Sequence, residues 1–390
     1  MQSVLKRRQF SAGLMAAVVP FITPRYASAQ LAEGASIVLG QSGALSGEWA
    51  EVTKLQVAGA RLAFDQFNAS PSGGLGRRTI ELHSFDDGYS PQRSAANTRR
   101  LIDSEVFALF GYGGTATSIA SMAIATEARM PFFSPFTGAR ELRQPFNKWV
   151  FHVRPAYAEE VEGMLRHLVN MGLSRFAVFC QEGAYGRTVI NAVNASLATH
   201  GLEPATEGVQ TATSREEVEA IMETLLAARP QAIIQANTPA NCATLVRGAR
   251  QKGYGGMFYH LSVVGAENLS KALRAVADGL VVSQVVPSPY KNTHPLTREF
   301  LEAIAKHGQG AVQPNYLSLE AYFSARVLIE GLRNAHMQSG GKLTREALVY
   351  GLESLKKRVL DIPIAYSSSN HVGSRFIEMS VLTKDGRVRV

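Results

Sequence analysis

The chain has 390 residues, a formal charge of +8, 46% hydrophobic residues and two cysteines. That length is more than one core comfortably holds and suits two domains. The mild positive charge comes with no basic run and no RNA-binding aromatic motif, which excludes a nucleic-acid surface as the organising feature.

Residues 1–29 read as an export leader. Lys6, Arg7 and Arg8 form a basic start, a weakly apolar stretch over 14–22 follows, and Ala27-Ser28-Ala29 gives the small-x-small pattern of a cleavage site. The apolar stretch is too short to span a bilayer and is interrupted by Pro20. Arg7-Arg8-Gln9-Phe10 resembles a twin-arginine signal, but Lys6 stands where such signals carry Ser or Thr, so the Sec and twin-arginine routes both stay open. Without the leader 361 residues remain. The loss of Lys6, Arg7, Arg8 and Arg25 lowers the charge to +4.

The rest alternates short apolar runs with amphipathic stretches, the pattern of a parallel sheet covered by helices. Residues 37–39 predict a first strand. A helix runs from near Trp49 to about Asn68, with Leu55, Ala58, Leu62 and Phe67 on its buried side. The turn Gly73-Gly74-Leu75-Gly76 leads to a strand over 79–85. A helix to Asp103, a strand over 107–110, a helix from Thr115 and a strand over 131–134 continue the alternation.

The same grammar then repeats, with a strand at 150–153, a helix to Met171, a strand at 176–180 and a helix from Tyr185. Ser214 and Glu217 form a capping box ahead of Val218, Ile221, Met222 and Leu225. A strand at 232–234, a helix over 244–252 and a strand at 257–260 complete the second set. Beyond them, 281–286 leads into Pro287-Ser288-Pro289 and two helical stretches, the longer carrying Ala325, Leu328, Ile329 and Leu332 on one face. Extended segments at 361–366 and 376–382 close the chain. The expected fold class is α/β, two doubly wound lobes, with this last quarter completing both.

Gly111-Tyr112-Gly113-Gly114-Thr115-Ala116-Thr117-Ser118 is the most informative stretch. A strand ends in small residues and hydroxyls follow where a helix starts, so free N–H groups and the helix dipole favour an anion there. A plain helix cap with a tight turn accounts for the same residues equally well. Ser134-Pro135-Phe136-Thr137-Gly138 is a second strand end, where open α/β sheets bind ligands, and Trp49 offers an aromatic cover. Asp86-Asp87 reads as a turn or cap. Cys180 and Cys242 are expected to be free thiols, Cys180 buried. There is no Gly-x-Ser-x-Gly elbow, phosphate loop, dinucleotide fingerprint or histidine set with metal spacing. No enzyme, cofactor or metal is therefore expected.

The ordered motifs Ser42-Gly43-Ala44-Leu45-Ser46-Gly47, Phe85-Asp86-Asp87, Ser134-Pro135 with Arg140-Glu141-Leu142, Tyr185-Gly186, Ala249-Arg250-Gln251-Lys252-Gly253 and Asp278-Gly279-Leu280 cover nearly all of 30–390. Together they resemble the branched-chain amino-acid-binding proteins of ABC importers. The resemblance implies a type I periplasmic-binding-protein fold with crossovers near 153–155, 286–289 and 362–365. One lobe would comprise 30–154 plus 287–364, the other 155–286 plus 365–390. It further implies a monomer in the periplasm that passes an amino acid or related small carboxylate to a membrane permease. A ligand sensor of the same fold, feeding a receptor or sensor kinase, is the alternative.

By that resemblance Thr115, Thr117, Ser118, Phe136, Thr137 and Gly138 hold the ligand's carboxylate. Trp49 matches an aromatic cleft residue and Tyr185 a tyrosine from the other lobe. Two positions depart from the pattern. Ser262 stands where the family has an acid for the ligand's ammonium, and Thr238 replaces a second cleft tyrosine. The family's disulfide positions fall on Tyr89 and Gly114. Either another acid such as Glu182 substitutes, or the ligand is not an α-amino acid.

Overall fold

The computed structural model describes residues 31, 34–70, 75–212, 214–310 and 312–390. The leader expected at 1–29, together with Gly73 and Gly74 of the expected turn, lies outside the described residues. No helix among the described residues is long and apolar enough to cross a membrane.

Strands β1 (Ile37–Gly43), β2 (Ile80–Asp86), β3 (Ala108–Phe110), β4 (Phe132–Phe133) and β5 (Val150–Phe151) form one parallel sheet in the order β2-β1-β3-β4-β5. Helices α1 (Ala50–Asn68), α2 (Pro91–Asp103) and α3 (Thr115–Glu127) connect its first four strands. After β5 come α4 (Tyr157–Asn170), β6 (Phe176–Gln181), α5 (Ala184–Thr199), β7 (Thr206–Gln210), α6 (Arg215–Ala227) and β8 (Ala232–Ala236). Then follow α7 (Pro239–Gln251), β9 (Met257–His260), α8 (Ala266–Leu273) and β10 (Val281–Gln284). Helices α9 (Pro295–His307), α10 (Tyr316–Gln338) and α11 (Arg345–Glu353) precede the hairpin β11 (Lys356–Val359) and β12 (Ile362–Ala365), and β13 (Glu378–Leu382) and β14 (Val388–Arg389) end the chain. The second sheet has the order β14-β13-β10-β9-β8-β6-β7, parallel except where β13 meets β10 and β14. The molecule is thus α/β with two lobes.

Local chemistry starts the helices. Ser90, Ser214, Thr238, Asn315 and Thr344 each accept a hydrogen bond from a backbone N–H in the first turn, and Pro91, Pro239 and Pro295 occupy first helical positions. Ser214 makes half of the expected capping box. Its hydroxyl accepts from Glu217 N, but the Glu217 carboxylate turns to the N–H groups of Thr211 and Ala212.

Four expectations change. The buried face of α1 runs through Val52, Thr53, Gln56, Val57, Ala60, Leu62, Ala63, Phe64 and Phe67, so that Leu62 and Phe67 are buried as expected while Leu55 and Ala58 are only half-buried. The reason is α10, which lies so close that a Cβ on Gly59 would come within 2.0 Å of the Ser318 carbonyl oxygen. Helix α7 starts at Pro239, five residues before the expected 244, because Thr238 caps it. The expected pair of helices after 289 is three among the described residues, and α8 and β7 also went unread. Finally, 362–365 is a hairpin strand, not a crossing. The backbone that pairs with the first crossover is 372–374, through Gly373 N to His152 O (2.8 Å) and Ser374 N to Val153 O (2.9 Å).

Candidate functional site

The carboxyl ends of β1, β3 and β4 open toward the amino ends of α4 and α5, and a cavity of about 30 Å³ lies between them. That is room for one or two water molecules, so any larger occupant requires the walls to part. From one side α1 contributes Val52, Thr53 and Gln56, with Trp49 at its start. From the other come Tyr157, Tyr185 and Val263, while Thr115 and Phe136 close the sheet end.

Aromatic rings dominate this lining. Trp49 stacks on Tyr89 with centroids 5.6 Å apart and meets Tyr185 edge-on at 6.1 Å. Tyr185 in turn lies 5.4 Å from Tyr157. Trp49 and Tyr89 also wall an outer cavity of about 460 Å³, lined by Glu48, Glu182, Gln210, Asn237 and Thr238 among others. The ring pair thus separates an inner, mostly apolar space from an outer polar one.

At the inner end, α3 begins without a capping side chain. Gly114 stands there with φ +88°, and a Cβ would come within 2.5 Å of the Tyr89 ring, so only glycine fits. The Thr115 backbone N–H lies beside the Tyr89 phenol, which receives Gln181 Nε2 at 3.4 Å. Burial, with Tyr157 beside it, holds the Tyr89 phenol above its ordinary pKa. The Tyr185 hydroxyl is enclosed and finds no hydrogen-bond partner among the described residues; burial pushes its pKa well up. A buried hydroxyl without a partner is costly, and the tyrosine that carries it lines the cavity.

Beneath the cavity floor lies a charge cluster. Arg154, Glu160 and Glu320 are all nearly inaccessible to solvent. Arg154 Nη2 lies 3.0 Å from Glu160 Oε1 and also bonds Ser262 Oγ. Its Nη1 makes an ion pair with Glu320 Oε1 at 3.4 Å that falls outside hydrogen-bond geometry. Glu160 Oε2 accepts from Ser262 N (3.0 Å) and Ser283 Oγ (2.5 Å). Burial alone would lower the pKa of Arg154, but Glu320 and Glu160 outweigh it and raise it. Burial raises the pKa of Glu320. Beside them the Arg143 guanidinium donates to the carbonyls of Thr137, Ala139, Arg154 and Pro155, which ties the loop after β4 to the first crossover. Burial, then the charge of Arg154, pushes Arg143 down to about 10.

Of the residues singled out in the sequence, Trp49, Thr115, Phe136 and Tyr185 line the inner cavity, and Thr238 lines the outer one while capping α7. The other five stand behind the wall. Thr117 Oγ1 bonds the Gly113 carbonyl just ahead of its helix, and Ser118 Oγ is buried without a partner among the described residues. Thr137 Oγ1 bonds Thr115 Oγ1 at 2.7 Å. A Cβ on Gly138 would meet Tyr157 N at 2.4 Å, so that glycine admits the tyrosine rather than a ligand. Ser262 is absorbed by Arg154 and Glu160, and its neighbour Val263 faces the cavity instead.

Sequence reasoning missed Tyr89, Tyr157, Thr53 and Gln56. A signal existed for the last two, polar residues in the buried stripe of α1. Tyr89 carried none, because φ +64° after Gly88 is what folds it back over Trp49. Asp86 serves as the expected turn residue, accepting from the N–H groups of Leu45, Ser46 and Gly88. Cys180 and Cys242 are free and buried.

A family described as periplasmic binding protein matches residues 36–387. A substrate-binding periplasmic protein from Ralstonia solanacearum is 31% identical, with a TM-score of 0.83 over 91% of this chain and 99% of that one. A possible leucine/isoleucine/valine-binding protein from Rhodopirellula baltica is 29% identical, with a TM-score of 0.82 over 90% and 95%. A fatty acid ABC transporter substrate-binding protein from Thermomonospora curvata, 20% identical, shares the fold with a TM-score of 0.79 over 90% of each chain. No curated protein sequence matches.

Proposed function

The chain belongs to the periplasmic binding protein family, and from that premise we propose that it is the substrate-binding component of an ABC importer, closing its two lobes on an amino acid or related small carboxylate. The observation that carries this reading is the cavity itself. A helix N-terminus, aromatic rings from both sides and Tyr185, whose hydroxyl has no partner among the described residues, line one small space. The α3 N-terminus and Thr115 take the carboxylate, Tyr185 adds a donor from the opposite lobe, and Trp49 and Phe136 cover the apolar part. Thr117, Ser118, Thr137, Gly138 and Ser262 shape the wall from behind, and Thr238 borders the entrance.

The lobes of this reading are 30–154 with 287–371 and 155–286 with 377–390, the third crossing being placed at 372–376 rather than near 362–365. Hinge motion parts them to admit the ligand. A periplasmic location after removal of 1–29, a monomeric state and a membrane permease as partner belong to the same proposal.

The two tryptophans, Trp49 and Trp149, make the test direct. In Trp149→Phe the only indole is Trp49, in the cavity wall. Screening amino acids, their amides and small carboxylates should find compounds that shift its emission and raise the melting temperature together. If no compound in the set moves either signal, the ligand class is wrong.

A further inference from the structure

We infer that the preferred ligand is an aromatic carboxylic acid that carries no α-ammonium group. This rests on the clamp reading above and narrows it to one ligand chemistry. The inner cavity has rings from Trp49, Tyr89, Phe136, Tyr157 and Tyr185 in its wall and not one acidic side chain. An ammonium group enclosed there would lose its water without gaining a carboxylate.

The carboxylates nearest that wall are committed elsewhere. Both oxygens of Glu160 are engaged by Arg154, Ser262 and Ser283, and Glu320 faces the same guanidinium. Where an acid would answer an ammonium, Ser262 instead helps to hold a buried cation. Glu48 and Glu182 line the outer cavity, on the far side of the Trp49–Tyr89 pair. The cavity therefore offers an anion neutral donors, the α3 N–H groups and the partnerless Tyr185 hydroxyl, and offers a cation nothing.

The protein's own packing shows why an aryl acid suits the space. The Tyr89 ring stacks on Trp49 while its oxygen lies beside the Thr115 N–H. An aryl carboxylate would present the same pairing, a ring for Trp49 and an oxygen for the α3 N-terminus. The cavity of about 30 Å³ must widen to admit it. Displacing Tyr89 toward the outer space of about 460 Å³ frees both the stacking face and the helix N–H.

The test is calorimetric titration of the wild-type protein with two matched pairs: 3-phenylpropanoate against phenylalanine, and 4-methylpentanoate against leucine. The aryl acid should bind about tenfold or more tighter than phenylalanine, the scale of one charge-assisted hydrogen bond. It should also bind tighter than 4-methylpentanoate. Tyr185→Phe should weaken 3-phenylpropanoate by about tenfold with an unchanged melting temperature. Phenylalanine or leucine binding as well as its ammonium-free partner overturns the inference and leaves the clamp reading standing. Equal affinity for the two ammonium-free acids overturns its aromatic part. Binding of none of the four removes this inference, and the clamp reading falls with it only if the broader screen on Trp49 is silent too.

Discussion

At the scale of single residues, Arg154 connects more of the molecule than any ligand-facing group. It sits at the first crossover between Glu160 of α4 and Glu320 of α10, with Ser262 and Ser283 completing the cluster. Removing one partner from a buried pair is worse than never having built it, because the remaining charge stays dry. Arg154→Ala leaves two carboxylates facing each other and should lower unfolding free energy by roughly 3–5 kcal/mol. Glu320→Gln should cost much less, since Arg154 keeps its closer bond to Glu160. Urea denaturation of the two variants checks the order; a loss under about 1 kcal/mol for Arg154→Ala would mean that water reaches the carboxylates. The same cluster takes up Ser262. Its place in the chain was legible, but its partner lies 108 residues away, and sequence spacing says nothing about contacts at that separation. Thr117 and Ser118 stood at the start of the right helix, and only the rotation of α3 turns them away from the cavity.

At the scale of elements, two contacts decide how the pieces meet. Helices α1 and α10 cross at Gly59, where the Ser318 carbonyl occupies the place of a Cβ and Ser318 Oγ bonds the Leu55 carbonyl at 2.8 Å. Gly59→Ala cannot be accommodated without separating the helices. It should cost about 1–3 kcal/mol or more, read as a drop in the denaturation midpoint; full stability would show that the helices slide freely. This crossing also accounts for the misjudged face of α1, since periodicity locates a stripe only to within a residue or so and the stripe rotates toward whatever packs closest. Strand and helix order was readable because caps such as Ser90-Pro91 and Thr238-Pro239 are local chemistry. Across the cleft rim, Thr188 of α5 donates to both oxygens of Glu141, at 3.0 and 2.9 Å. On the clamp reading proposed above, this bond links the two lobes. Thr188→Val should therefore speed ligand release about five- to tenfold while association barely changes. Stopped-flow fluorescence from Trp49 separates the two rates, and an unaltered release rate would make Thr188 a bystander.

For the molecule as a whole, buried imidazoles set the response to acid. The alternating α/β order was legible because each lobe repeats one local grammar. The joining of the lobes was not, because it depends on the register between 372–374 and 152–153. That junction is where His152 and His371 are buried, with His152 Nε2 at 3.1 Å from the Leu142 carbonyl and His371 Nδ1 at 3.0 Å from that of Val150. Burial pushes His152 far below the ordinary histidine range, with Arg143 adding to it, and burial also lowers His371. His260, enclosed at the end of β9 in the second sheet, is pushed down to about 4 by burial. In the unfolded chain these rings take up protons near pH 6.5, whereas the folded chain keeps them neutral. The unfolded state therefore binds more protons below about pH 6.5, and stability, complete above that point, declines as pH falls toward 4. Asp86 acts later. Burial opposes its ionisation, but hydrogen bonds from Ser46, Gly88 and Leu45 outweigh that and hold it at about 2. Its contribution is complete above its unfolded value of 3.8 and is lost only as pH falls from there toward 2. The acid limb should thus have two stages. His260→Gln should flatten the first by up to about 1.4 kcal/mol per pH unit, and Asp86→Asn should lower stability evenly above pH 3.8 and flatten only the second. Urea midpoints measured from pH 7.5 to 3 test both, and a His260→Gln profile parallel to that of the wild type would show that this ring gains its proton without unfolding.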